Sequence, residues 1–277
     1  MKKILLLNSL ILFSPAIKAQ TDRLASIPVD GFYNQSNASG ATPFEYPSIN
    51  PTDVQFFKRI WRDLSLKNEK NLILNAPDES LIEVLVAGIK SGKITAYDGA
   101  NDSFKYPISA KAAFERLTDS VLVPVFDQEG NLIKATLKQN DFDPARIVAF
   151  RIKEDVFFDK VRSVVETRII GIAPIMEIEM SDKLPGETPA FWVYYPACRK
   201  VLATKEISDP DRGIDNMTLD DFFIQRKFQG KIIKESSPTD QRIVDYVKDA
   251  EEQDREAQRI EASIENFKNK MCGYNKK

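Results

Sequence analysis

FRIKEDVFFDKVRSVVETRIIGIAPIMEIEMSDKLPGETPAFWVYYPACRKVL, residues 150–202, decides the fold. Val148, Phe150 and Ile152 alternate with Ala149, Arg151 and Lys153, and a long β-branched run from Ile169 to Met180 follows. Period two is the signature of strands, because successive side chains leave a pleated backbone on opposite sides. It puts Glu177 and Glu179 on one face and Met176, Ile178 and Met180 on the other. The block therefore reads as sheet with one buried and one solvated face.

Outward from this block, the chain divides into four parts. Lys2 and Lys3 precede an apolar run from Ile4 to Phe13 and small residues up to Ala19, the layout of a signal peptide over 1–19. The run is too short for a bilayer core, which takes roughly 20 apolar residues. No cysteine stands at the expected cleavage point, so membrane association is expected through a partner. Residues 20–48, rich in Asn, Ser, Gly and Pro, read as an extended arm, either a linker or a strap docking Phe32, Tyr33, Phe44 and Tyr46. Residues 49–236 read as one α+β domain, and 237–277 as a C-terminal helix.

Within the domain, Asn50, Pro51 and Asp53 open a predicted helix whose apolar face is Val54, Phe57, Ile60, Trp61 and Leu64. A second is predicted over 78–90 with Gly92 past its end, and a third after Ser109. KITAYD reads as a strand, and LVPVFDQEGNLIKATL as a hairpin turning at Gly130. Thr218 caps a helix ending at Gly230, and KIIKE is a further strand. Ser237 and Pro238 open the longest helix, striped by Ile243, Val247, Ala250, Ala257, Ile260, Ile264, Phe267 and Met271. That stripe either packs on its own domain or docks on another subunit. The fold class is thus α+β, a mixed or antiparallel sheet flanked by helices with a long amphipathic C-terminal helix.

Composition excludes several chemistries. There is no histidine, which removes Ser-His-Asp hydrolysis and the commonest transition-metal ligand. The 11 glycines form no phosphate-binding loop, so no cofactor is expected. The formal charge of −2 falls to −5 once Lys2, Lys3 and Lys18 are removed, and the charges are interspersed; this argues against nucleic acid. Glu177 with Glu179, and Asp220 with Asp221, are the nearest approach to a glycosidase pair, but any wet strand or helix start produces them. Asp209, Asp211 and Asp215 alternate like calcium ligands, yet Gly213 and Ile214 fall where such a loop wants a ligand and a glycine, so the stretch reads first as a turn. Cys198 and Cys272 form a disulfide or stay two separate thiols.

Four motifs, RIKEDVFFDKVRSVVETRIIGIAPI at 151–175, FWVYYPACRKVLA at 191–203, MTLDDFFIQRKFQGKIIKES at 217–236 and GKITAYD at 92–98, resemble the gliding motility protein GldN family, called PorN in non-gliding relatives, of the type IX secretion system of Bacteroidota. The resemblance implies a non-enzymatic periplasmic subunit needed for secretion and gliding, with no small-molecule substrate. It implies assembly with an outer-membrane lipoprotein of the GldK or PorK type into a homo-oligomeric ring, coupled to the GldL and GldM (PorM-like) motor proteins. The competing expectation is a periplasmic module or hydrolase acting on peptidoglycan or other glycans.

Overall fold

The computed structural model describes residues 42–76, 80–118, 120–126, 132–139, 142–178, 186–209 and 214–273. The expected signal peptide, most of the expected arm, Gly130, Glu179 and Asp211 lie outside the described residues, as do the side chains of Glu177, Asp215 and Cys272.

In chain order the elements are β1 (Val54–Ser65), α1 (Leu81–Lys90), β2 (Ala96–Asp98), β3 (Pro107–Ile108), α2 (Ala110–Glu115), β4 (Ser120–Phe126), β5 (Leu132–Gln139), β6 (Ile147–Asp159) and β7 (Val164–Ile178). They continue with β8 (Gly186–Pro189), β9 (Phe191–Tyr194), α3 (Tyr195–Leu202), β10 (Glu206–Asp209), β11 (Ile214–Thr218), α4 (Leu219–Ile224), β12 (Lys231–Glu235), α5 (Ile243–Tyr246) and α6 (Ala250–Gly273). The main sheet runs β12-β1-β6-β7-β9-β2-β3, with β8 also on β7, and every pairing is antiparallel. The predicted hairpin forms as the pair β4-β5, and β10-β11 is a second small ribbon. The α+β class and the long terminal helix are as read from the sequence.

The alternating block forms the centre, because β6 and β7 pair along almost their whole lengths. One face carries Phe150, Ile152 and Ile172, all 0 % exposed, under Leu85 of α1, Cys198 of α3 and Phe222 of α4. Further along the same face, Ile60, Val156 and Ile232 pack under Ala257, Ile260 and Ile264 of α6. The other face is covered in part. Trp61, Ala173 and Trp192 form a third cluster there with Phe104, and Arg151 and Lys153 are buried. Across β1 and β6 the expectation of one solvated face is therefore corrected: the polar residues there alternate because they meet ionic partners, with Arg59 alone keeping 36 % exposure.

Four further expectations are corrected. The helix predicted from Asn50 is one 3-10 turn, Pro51–Asp53, capped by the Asn50 side chain, and then the strand β1. Its apolar spacing of three and four comes from a bulge at Phe57, which shifts the phase so that Phe57 joins Ile60 against α6 while Trp61 is buried on the opposite face. Residues 195–202, read as sheet, form α3, with Pro196 in its first turn. The helix after Thr218 stops at Ile224, where Arg226 turns left-handed at φ 54°, not at Gly230. The C-terminal helix does not start at Ser237: Asp240 has φ 52°, Val247 is extended, and the long helix begins at Ala250, whose first turn the Asp249 carboxylate caps through Glu252 N–H at 2.9 Å. Ile243 and Val247 still share a cluster with Ala257, Ile260 and Ile264, so the predicted stripe survives across the break.

Candidate functional site

The charged groups sit in three clusters, each built from elements distant in sequence. On the helix face, Glu154 of β6 is 0 % exposed and lies between the two apolar regions. Arg226 donates to its Oε1 at 2.6 Å and Arg62 of β1 to its Oε2 at 3.2 Å. Arg62 also donates to Gly230 O at 2.9 Å and pairs with Glu261 of α6 at 2.8 Å. One guanidinium thus ties β1, β6, α6 and the approach to β12.

On the opposite face the register β1-β6 sets Arg59 across from Asp155, Trp61 across from Lys153 and Asp63 across from Arg151. Arg151 grips Asp63 in two bonds of 2.7 and 2.8 Å, and Arg59 grips Asp155 likewise through Nε and Nη2. Such forked pairs fix geometry as well as charge. Lys153 donates to Asp102 O at 2.7 Å and pairs with its carboxylate at 3.2 Å, while the Trp61 indole N–H donates to the same carboxylate. Burial lowers the Lys153 pKa, with Asp102 opposing the shift. Lys153 and Lys234 both stand over the Trp61 ring, at 5.6 and 4.4 Å from its centre. The turn carrying Asp102 is held down by Phe104, which meets Tyr97, Trp192 and Tyr194 edge-on. Gly171 makes that approach possible, since a Cβ there would come within 2.5 Å of the Phe104 ring.

The third cluster holds the end of the arm. Asp220, 1 % exposed, accepts from Tyr195 Oη at 2.9 Å and from Arg199 Nε and Nη2 at 3.0 and 2.9 Å. Arg199 and Arg168 stand over the Tyr46 ring at 4.6 and 4.5 Å, and they donate to the carbonyls of Phe44 and Pro47 respectively. Of the four aromatics proposed for a docking strap, Tyr46 docks, on its own chain. Phe44 is 64 % exposed, and Phe32 and Tyr33 lie outside the described residues.

The sequence-proposed pairs are not brought together as catalysts. Asp220 is held by Tyr195 and Arg199, whereas Asp221 closes the capping box of α4, accepting from Thr218 N at 3.0 Å and Oγ1 at 2.7 Å. Glu177 lies in β7 opposite Glu187. Asp209 ends β10. No group of three metal-binding side chains gathers among the described residues. Cys198 is buried, donates to Tyr194 O at 3.3 Å, and burial pushes its thiol up to about 12, so it stays protonated near neutral pH. Burial beside Asp220 likewise raises the Tyr195 hydroxyl. The buried Glu154, Asp220, Arg151 and Lys153 act as fasteners. No helix among the described residues is long and apolar enough to cross a membrane.

Arg62, Arg151, Lys153 and Arg199 went unnoticed as site residues in the sequence. Only alternation marked two of them, and partners 88 or 92 positions away in the chain leave no local signal.

No curated protein matches the chain. A family described as gliding motility associated protein GldN matches residues 49–273, from just before β1 to the last residue of α6. With so much of the sequence covered, the chain belongs to the GldN family of gliding motility associated proteins.

Proposed function

We propose that this protein is a non-enzymatic structural subunit of the type IX secretion and gliding machinery. In this reading it is exported to the periplasm and assembles with a GldK- or PorK-like outer-membrane lipoprotein into a ring of many copies. The ring couples to GldM- or PorM-like motor proteins, with the outer membrane reached through the lipoprotein. Family membership over 49–273 is the observation that carries the reading. The architecture supports it: the buried Glu154 and Asp220 are bound to arginines, leaving neither available as a general acid or base. Densely packed interiors resist deformation, as a load-transmitting part must.

Affinity purification of the tagged chain from outer-membrane extracts tests the proposal. Expected are a co-purifying lipoprotein and multimeric particles large enough to sediment ahead of the free chain. A monomer that binds muropeptides and brings down no lipoprotein would overturn it in favour of the glycan-binding alternative.

A further inference from the structure

The main sheet ends at β12, whose outer edge is closed among the described residues only at Lys234, by one bridge to Arg242. Beside Lys231–Ile233 lies a groove of about 680 Å³ between β12, the facing ends of β1 and β6, and α5. It adjoins a smaller cavity of about 330 Å³ next to Trp61 and Trp192, and Arg151, Ile233 and Arg242 line both.

The wall of the larger groove is apolar where Ile232, Ile243 and Val244 contribute, and Val244 is 43 % exposed. Its charged lining is Lys67, Arg151, Lys231 and Arg242 against Asp63, a local excess of cations on a chain whose formal charge is −2. Asp63 is already gripped by Arg151. Lys231 and Arg242 reach Asp254 and Asp245, acids that are exposed and outside the groove lining. Lys67 stands exposed on the rim.

We infer that this groove is a docking site for an extended acidic segment of a partner protein. The groove lies over the ends of three adjacent strands and reaches the free edge of β12, so an extended guest can lie in it with alternate side chains facing opposite ways. Here one set would meet the apolar wall and the other the cations, and charge complementarity selects the partner. Because β12 bulges at Ile233 and the groove runs over the strand ends, side-chain contacts carry most of the affinity. This inference rests on the reading of the protein as an assembly subunit and gives that subunit a place to receive a partner.

Fluorescence anisotropy with the purified full mature chain tests it. The probes are a labelled octapeptide alternating Val and Asp, and the same peptide with Lys for Asp. The Asp peptide is expected to bind saturably, at least tenfold more tightly than the Lys peptide, and to weaken at least tenfold in Lys67→Glu/Lys231→Glu. Both positions are exposed, and an unchanged thermal melt shows the variant folded; Arg242→Gln provides a second variant with the same expected direction. Absence of saturable binding, equal binding of the two peptides, or indifference to both variants overturns the inference. Peptide binding without envelope particles would sink the ring reading and keep the groove, while particles without peptide binding would do the reverse.

Discussion

The two faces of β1 and β6 are both covered, one fully and the other in part, and they are differently made. Toward the helices, Leu64, Phe150, Ile152 and Val156 have no exposure and pack on apolar neighbours. Across the same strands, Arg59, Asp63, Arg151, Lys153 and Asp155 form a ladder of ion pairs roofed by the turn that carries Asp102 and Phe104. The apolar face draws on the hydrophobic effect, which is non-directional. The ionic face adds little net stability, because desolvation offsets attraction, but removing one partner leaves a stranded charge. Apolar packing makes the sheet stable; ion pairs make it particular.

Mutation separates these roles. Phe150→Ala should have the largest effect, a loss of about 3–5 kcal/mol in urea unfolding, because it removes a wholly buried ring. A loss below 1 kcal/mol would mean the helix face is not the main source of stability. Arg151→Ala should cost about 1–3 kcal/mol by stranding Asp63, which is near the surface and partly solvated. If it matched Phe150→Ala, the contrast between the faces would collapse.

Lys153→Met should cost less than about 1.5 kcal/mol at neutral pH, because the Asp102 it leaves behind is 30 % exposed and keeps the Trp61 indole N–H. The pH dependence sharpens this. Burial lowers the folded-state pKa of Lys153 below 10.5, so the unfolded chain holds the proton more tightly. Stability relative to the Met variant should therefore rise as pH climbs toward 10.5, and parallel pH profiles would refute the burial.

The smallest effect is chemical. In Cys272→Ser, the remaining Cys198 should resist thiol reagents until denaturant is added, whereas prompt labelling of the native chain would show that the helix face opens readily.

Much of the helix face was legible in the sequence, because apolar periodicity and caps are local. Ser109 and Thr218 cap helices through N–H groups three residues on, as expected, while the cap at Ser80 was not foreseen. The C-terminal stripe was visible although its break at Val247–Asp249 was not, since two helices packing on one cluster keep the same hydrophobic spacing. β1 was misread because a single bulge at Phe57 makes a strand imitate helical periodicity. The ionic face was illegible for a different reason. A charged residue in an alternating strand looks the same whether it meets water or a guanidinium, and only the tertiary partner decides. Tyr46 falls between these cases: its aromatic character marked it, but nothing nearby pointed to Arg168 and Arg199.

The ladder on the second face also bears on how the chain finds its fold. β1 must join β6 across 96 positions, as Arg59 to Asp155 shows, and pleated strands can dock in several alignments before settling. A slip of two residues preserves the apolar pattern, so the hydrophobic effect penalises it weakly. In one direction, however, that slip sets Arg59 against Lys153 and Asp63 against Ala149, replacing two attractions with a repulsion and an orphaned carboxylate. The charges thus work as an index mark, disfavouring a misaligned pairing that the oily side would accept.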